Sequence, residues 1–271
     1  MRTSRTALAL GVCAVASALL VAPGRSLDVE RAINGSAAAA EASALFSSAF
    51  TAYAAGEKTR AFEAYRKAAD LGHVGALWKV GRIYEQGDGA EADAFEAFRA
   101  YRALARLHGE IPPNDRDAVF VASAFVALGR YLESGIEGRL ESDLAQARGT
   151  YFYAASYFGD REAQYRLGRM LIEGIGGPPL PTQGVRWLKL ASDKEHVAAV
   201  ATLGELLFYG RYVSQRPVLG LSMLTRARRL ATEEQKAWIE PMQERAFAAA
   251  SEEVRRQAVE LAEAELTGVG G

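Results

Sequence analysis

Three histidines, one cysteine and a few glycine-rich turns are the first places to look for chemistry in this chain. His73 and His196 each stand just before an alanine-rich stretch, at equivalent points of two repeated segments. Capping or solvation of a helix start accounts for both better than metal ligation does. His108 precedes Gly109 at a helix end, where partial positive charge is favoured. The cysteine, Cys13, lies in an apolar N-terminal run, so a chain processed beyond it has no thiolate for a metal and no disulfide. No Gly-x-Ser-x-Gly, His-Glu-x-x-His or phosphate-binding glycine loop is present. Gly87-Asp88-Gly89 and Gly174-Ile175-Gly176-Gly177 read as turns, and the Glu233-Glu234 and Glu252-Glu253 pairs begin helices, where negative charge suits the dipole. Nothing singles out a carboxylate pair for hydrolysis. No catalytic, cofactor-binding or metal-binding residue is assigned.

The elements that would carry any function are marked by glycines. They recur in pairs, Gly81 and Gly87, Gly129 and Gly135, Gly168 and Gly174, Gly204 and Gly210, with an aliphatic residue (Val80, Leu128, Leu167, Leu203) before each first member. The pairs repeat at intervals of 48, 39 and 36 residues. Such a recurrence marks stacked repeats, whose usual work is holding a partner. Leu45, Phe46, Ala49, Phe50 and Tyr53 form a helical stripe from Ala44, followed by a second helix through Ala61, Tyr65 and Ala69. Further hairpins are expected at 76–86 with 93–107, 118–134 with 143–157, 162–173 with 182–193, and 197–209 with 219–231. Helices around 233–249 and 252–266, rich in Glu, Arg and Gln, would close the array. In the second helices a large residue precedes an alanine by four: Tyr65 and Ala69, Tyr101 and Ala105, Tyr151 and Ala155, Trp187 and Ala191, and, more weakly, Met223 and Ala227. A mid-helix glycine costs about 1 kcal/mol against alanine, so close helix approach must compensate at the first glycine of each pair. The second reads as a helix stop at positive φ.

Composition narrows the function. The formal net charge is −1, without the basic excess a nucleic-acid binder shows. Arg2 and Arg5 precede an uncharged run from Thr6 to Pro23, followed by small residues at Ala22-Pro23-Gly24. This reads as a secretion signal over 1–24, the alternative being an uncleaved anchor. Its removal leaves 30 basic against 33 acidic side chains. Residues 25–43 read as a linker, 44–231 as the repeat array and 232–267 as capping helices.

The glycine columns and the lengthened turns resemble the Sel-one-like repeats, relatives of the tetratricopeptide repeat, over about Ala44 to Ala231. From closing glycine to the large residue of the next helix is 9 residues in the first unit and 14, 16, 13 and 13 in the later ones. The resemblance implies an all-α, right-handed α-solenoid of about five helix-hairpin repeats with a C-terminal helical cap. Within that family, the leader, the five units and the segments 143–148, 162–171, 235–238 and 244–247 resemble the periplasmic negative regulators of exopolysaccharide production. That narrower likeness implies a periplasmic protein that binds the sensor domain of a membrane histidine kinase and holds it off, until proteolysis of the inhibitor releases it. A scaffold for envelope assembly is the alternative, and an enzyme such as a cell-wall hydrolase stands further off.

In tetratricopeptide-like hairpins the first helices line a concave face. The residue after the repeat glycine, on that face, reads Arg82, Arg130, Arg169, Glu205; three before it stand Trp78, Val126, Tyr165 and Ala201; one turn on come Glu85, Glu133, Ile172 and Phe208. Trp, Tyr and Arg are the residues of binding hot spots, which makes Trp78, Arg82, Arg130, Tyr165 and Arg169 the candidate partner-binding set. Arg82 with Glu85, and Arg130 with Glu133, are equally i,i+3 pairs on a solvated face, worth about 0.2–0.5 kcal/mol each.

Overall fold

The computed structural model describes residues 36–267, and among these the chain is helical apart from turns and one isolated bridge between Ile136 and Leu140. The helices are α1 (Ser36–Ala54), α2 (Lys58–Asp70), α3 (Val74–Gln86), α4 (Ala94–His108), α5 (Ala118–Ser134) and α6 (Leu144–Tyr153), which widens into a π turn over Ala154–Phe158. They continue as α7 (Arg161–Glu173), α8 (Pro181–Ser192), α9 (Val197–Tyr209), α10 (Pro217–Leu230), α11 (Glu233–Ala249) and α12 (Glu252–Thr267). Two compact units divide them, one ending at Phe158 and one beginning at Gly159. The stretch read as one array, 44–231, is thus shared between units, and α11 and α12 occupy the expected cap. The expected leader over 1–24 lies outside the described residues.

Local chemistry sets the helix ends. Asp93 Oδ1 accepts from the Phe95 and Glu96 amides at 2.8 and 3.0 Å, while Asp143 and Asp160 cap α6 and α7 at 2.8 Å each. Thr232 and Gln235 form a reciprocal capping box at α11. Gly87, Gly174 and Gly210 close their helices in the left-handed region, at φ of 69°, 72° and 71°.

Packing within each unit follows from the repeat glycines, by two different devices. In the first unit, a Cβ on Gly81 would stand 2.6 Å from Cε1 of Tyr101, and one on Gly129 would strike Tyr151 in the same way. The missing side chains make room for fully buried tyrosine rings. In the second unit the backbones themselves meet: a Cβ on Gly184 would lie 2.6 Å from the Gly168 carbonyl, and one on Gly220 would lie 2.6 Å from the Gly204 carbonyl.

Three expectations change. α1 begins at Ser36, inside the segment read as linker, because the alanine run 37–40 is a strong helix former. Its buried stripe is Ala42, Ala49 and Ala52, and Phe50 is 64% exposed. Small residues are what close approach to α2 requires. The second-helix column also shifts by one residue in α8, where Leu188 is wholly buried and Trp187 half-buried; in α10 the expected Met223 is buried, at 7% exposed, beside a wholly buried Leu224. The most deeply buried positions are therefore Tyr65, Tyr101, Tyr151, Leu188 and Leu224, at 9, 14, 16, 14 and 14 residues from the preceding closing glycine.

Candidate binding site

In the first unit the candidate residues gather around a carboxylate. Glu85 sits on α3, one turn beyond Gly81, and its side chain is 14% exposed. Arg130 donates to its Oε1 at 2.9 Å, and Arg82 to its Oε2 at 3.4 Å. The Tyr101 hydroxyl donates to Oε2 at 2.9 Å and the Tyr131 hydroxyl to Oε1 at 3.4 Å. Burial, then the Glu85 charge, pushes the Tyr131 hydroxyl up to about 12. Both tyrosines remain neutral donors across the working range. Arg130 thus reaches α3 instead of forming the i,i+3 pair with Glu133 that its spacing suggested. Glu133 instead accepts from the Tyr151 hydroxyl at 2.6 Å. The arrangement of glycine, tyrosine ring and carboxylate recurs from one hairpin to the next.

Trp78 is less available than its register suggested. Its indole N–H donates to Ser123 Oγ at 3.2 Å, and its ring lies 5.1 Å from that of Phe120, so it joins α3 to α5. The Arg82 guanidinium stands 5.9 Å from the indole ring. What this unit presents to solvent is a half-buried Trp78–Arg82 pair beside the exposed Arg130.

In the second unit Tyr165 and Arg169 occupy the same register on α7. Arg169 is exposed and donates twice to Glu173, at 3.1 and 3.2 Å. Tyr165 is half-buried, packs on the cluster formed by Leu188, Ala191, Ala199 and Leu206, and stacks on His196 at 4.8 Å. His196 caps α9 by accepting from the Ala199 amide at 3.2 Å, and its Nε2 donates to Glu162 at 2.7 Å. Burial opposes ionisation of Glu162, but the His196 hydrogen bond and the Arg166 charge outweigh it and bring its carboxyl down to about 2. The first unit repeats the device without the carboxylate. His73 caps α3 through the Ala76 amide at 3.3 Å and stacks on Phe46 at 4.4 Å, and burial lowers its pKa.

The strip read from register is not continuous. Val126, Ala201 and Phe208 are buried in the packing of their own hairpins. Glu205 pairs with Arg211 at 2.7 Å. Sequence reasoning missed Glu85 as the point of convergence. Its signal was the paired occurrence of glutamate four residues after a repeat glycine and tyrosine on the following helix. The loop after His108 is also better anchored than its prolines suggested: Tyr153 and Tyr157, the latter in the π turn, donate to the Gly109 and Glu110 carbonyls at 2.8 and 3.1 Å.

Comparison with known proteins agrees with this architecture. The Sel1 repeat family matches residues 57–73, 74–108, 161–196 and 198–231. The unmatched stretch between them holds the anchored loop and the π turn. An exopolysaccharide production negative regulator of Rhizobium leguminosarum bv. viciae is 36% identical over 260 residues, covering 96% of this chain and 94% of that protein. A regulator of the same description from Rhizobium meliloti (strain 1021) is 35% identical over 255 residues, covering 94% and 92%. Among solved structures, a Sel1 repeat protein from Oxalobacter formigenes has the same fold, with a TM-score of 0.60 at 20% identity over 82% of this chain and 87% of that one. Repeat, fold and near full-length identity point the same way: the chain belongs to the Sel1-repeat family of exopolysaccharide production negative regulators, and its role is regulatory, not enzymatic.

Proposed function

We propose that this protein works in the periplasm, after removal of residues 1–24, and represses exopolysaccharide synthesis by binding the sensor domain of a membrane histidine kinase. Near full-length identity to two proteins named negative regulators carries the reading. The first-unit patch of Trp78, Arg82 and Arg130 and the second-unit patch of Tyr165 and Arg169 supply the aromatic and guanidinium groups that protein interfaces favour. No described helix is long and apolar enough to cross a membrane. A scaffold for envelope assembly is the competing reading. Deleting the gene is expected to raise transcription of the exopolysaccharide operon, and deleting the kinase as well is expected to abolish that rise. Unchanged transcription with a weakened envelope would favour the scaffold. The purified chain is also expected to bind the isolated sensor domain saturably in titration.

A further inference from the structure

The first helix of the array has one covered side and one bare one. α1 packs on α2 through Ala42, Ala49 and Ala52, whereas α2, α3, α4 and α5 each pack against the helix before and the helix after them. At helical spacing Ala39, Ser43, Ser47, Phe50 and Ala54 share the opposite side, and all are exposed. Phe50 is 64% exposed, next to the half-buried Phe46. Repeat arrays ordinarily end in a polar outer face. α12, the last described helix, follows that rule with seven charged side chains in 16 residues. α1 has one in 19, Glu41, which stands roughly a third of the way round the helix from Ser47. The hydroxyls of the bare side are already satisfied: Ser43, Ser47 and Thr51 donate to the carbonyls of Ala39, Ser43 and Ser47 at 2.9, 2.9 and 3.1 Å. Where α2 begins, the charges are paired within the chain, Arg60 with Glu57 and Lys58 with Asp88.

Those features choose the occupant. A two-fold contact sets one surface against itself, so a face of one charge sign repels its copy and a charge near the axis meets its like. An uncharged face with no unmet hydroxyl escapes that penalty, and the small side chains around Phe50 let a second helix come close. Residues 25–35 fit it less well, with four charged side chains in eleven. From this bare face at the start of the array we infer that α1 pairs with α1 of a second copy of this chain across a two-fold axis. A face about 28 Å long and about 10 Å wide falls short of the roughly 800 Å² per partner of a standing interface, which makes the dimer reversible. Trp78, Arg82 and Arg130 lie on α3 and α5, so the inference does not rest on the kinase reading.

Sedimentation velocity of the purified chain from about 1 μM to about 1 mM tests this, a range that spans reversible association. The sedimentation coefficient is expected to rise with concentration from monomer to dimer and to stop there. Phe50→Glu, which brings a carboxylate near its own copy, is expected to weaken dimerisation about tenfold or more while keeping wild-type helicity and melting temperature. Ser47→Lys, on the same exposed side, should do likewise. A chain that stays monomeric throughout would overturn the proposal. Assembly beyond a dimer would do so too, as would folded Phe50→Glu and Ser47→Lys variants that dimerise as readily as wild type.

Discussion

The Tyr101 ring fills the space that Gly81 leaves by having no Cβ, and its hydroxyl ends 2.9 Å from Glu85 on the same helix as that glycine. One position thus sets the helix spacing, the ring and the carboxylate to which Arg82 and Arg130 are tied. Gly129, Tyr151 and Glu133 repeat the relationship in the next hairpin. Glycine here gives up about 1 kcal/mol of helix propensity relative to alanine, and packing of a buried aromatic ring offsets it.

Gly81→Ala is expected to destabilise despite that propensity gain, since overpacking a well-packed core costs about 1–3 kcal/mol. Gly184→Ala should be at least as costly, because its Cβ would meet the Gly168 carbonyl, which is backbone, and Gly168→Val should lower stability at the same crossing. Urea denaturation of the purified variants measures all three. A Gly184→Ala protein as stable as wild type would mean the two backbones do not meet at this point.

Tyr101→Phe removes one donor from Glu85 and leaves Arg82, Arg130 and Tyr131 in place. A loss of about 0.5–1.5 kcal/mol is expected, the net worth of an ordinary hydrogen bond. Glu85→Leu should lose more, because it leaves the buried Tyr101 hydroxyl without its acceptor, while Arg82 and Arg130, at 39% and 46% exposed, can turn to water. Equilibrium unfolding of both variants, compared with wild type, checks the order.

The shifted column is testable directly. Leu188→Ala is expected to cost about 2–5 kcal/mol, as for a fully buried leucine. Trp187→Ala, at a half-buried position, should cost clearly less. The reverse order in thermal melts would restore Trp187 as the core residue.

Stability should fall with acidity for two reasons of known sign. The Glu162 carboxyl titrates at about 2 in the folded chain against an ordinary 4.5, so its contribution is complete above pH 4.5 and is lost as pH falls toward 2. His73 is lowered below its ordinary 6.5 by burial, so the unfolded chain takes the proton first and stability declines as pH drops below 6.5. His73→Asn, which keeps a capping oxygen, should flatten the upper part of this profile, and Glu162→Gln the lower part. Unfolding free energies across pH would show neither change if these groups were uncoupled from folding.

For partner binding, Arg82→Ala in the first unit and Arg169→Ala in the second are expected to weaken binding of the sensor domain, each by about 2 kcal/mol if it is a hot-spot residue. Helicity should be retained, and the loss in stability should stay within about 1 kcal/mol, because exposed ion pairs contribute little. Wild-type affinity in both variants would move the contact to the loop after His108, the 176–181 loop or another face.

Much of the architecture was legible from residue spacing. Helix punctuation is local chemistry: Gly87, Gly174 and Gly210 must stop a helix wherever the chain goes, and His73 and His196 cap the helices they precede. The repeat interval and the family followed from such local signals. Which neighbour each side chain met was not local. The register that marked Arg130 and Glu133 as partners could not foresee that Arg130 reaches Glu85, 45 residues earlier. An alternation of large and small residues could not choose between Trp187 and Leu188, because one helical position turns a side chain by about 100° and only the facing helix decides which side is buried. The last two helices, rich in Glu, Arg and Gln, gave no sign of which polar residue would be covered. Gln243, between the wholly buried Ile239 and Ala246, is only 7% exposed, because exposure is a property of the surrounding surfaces and not of the residue.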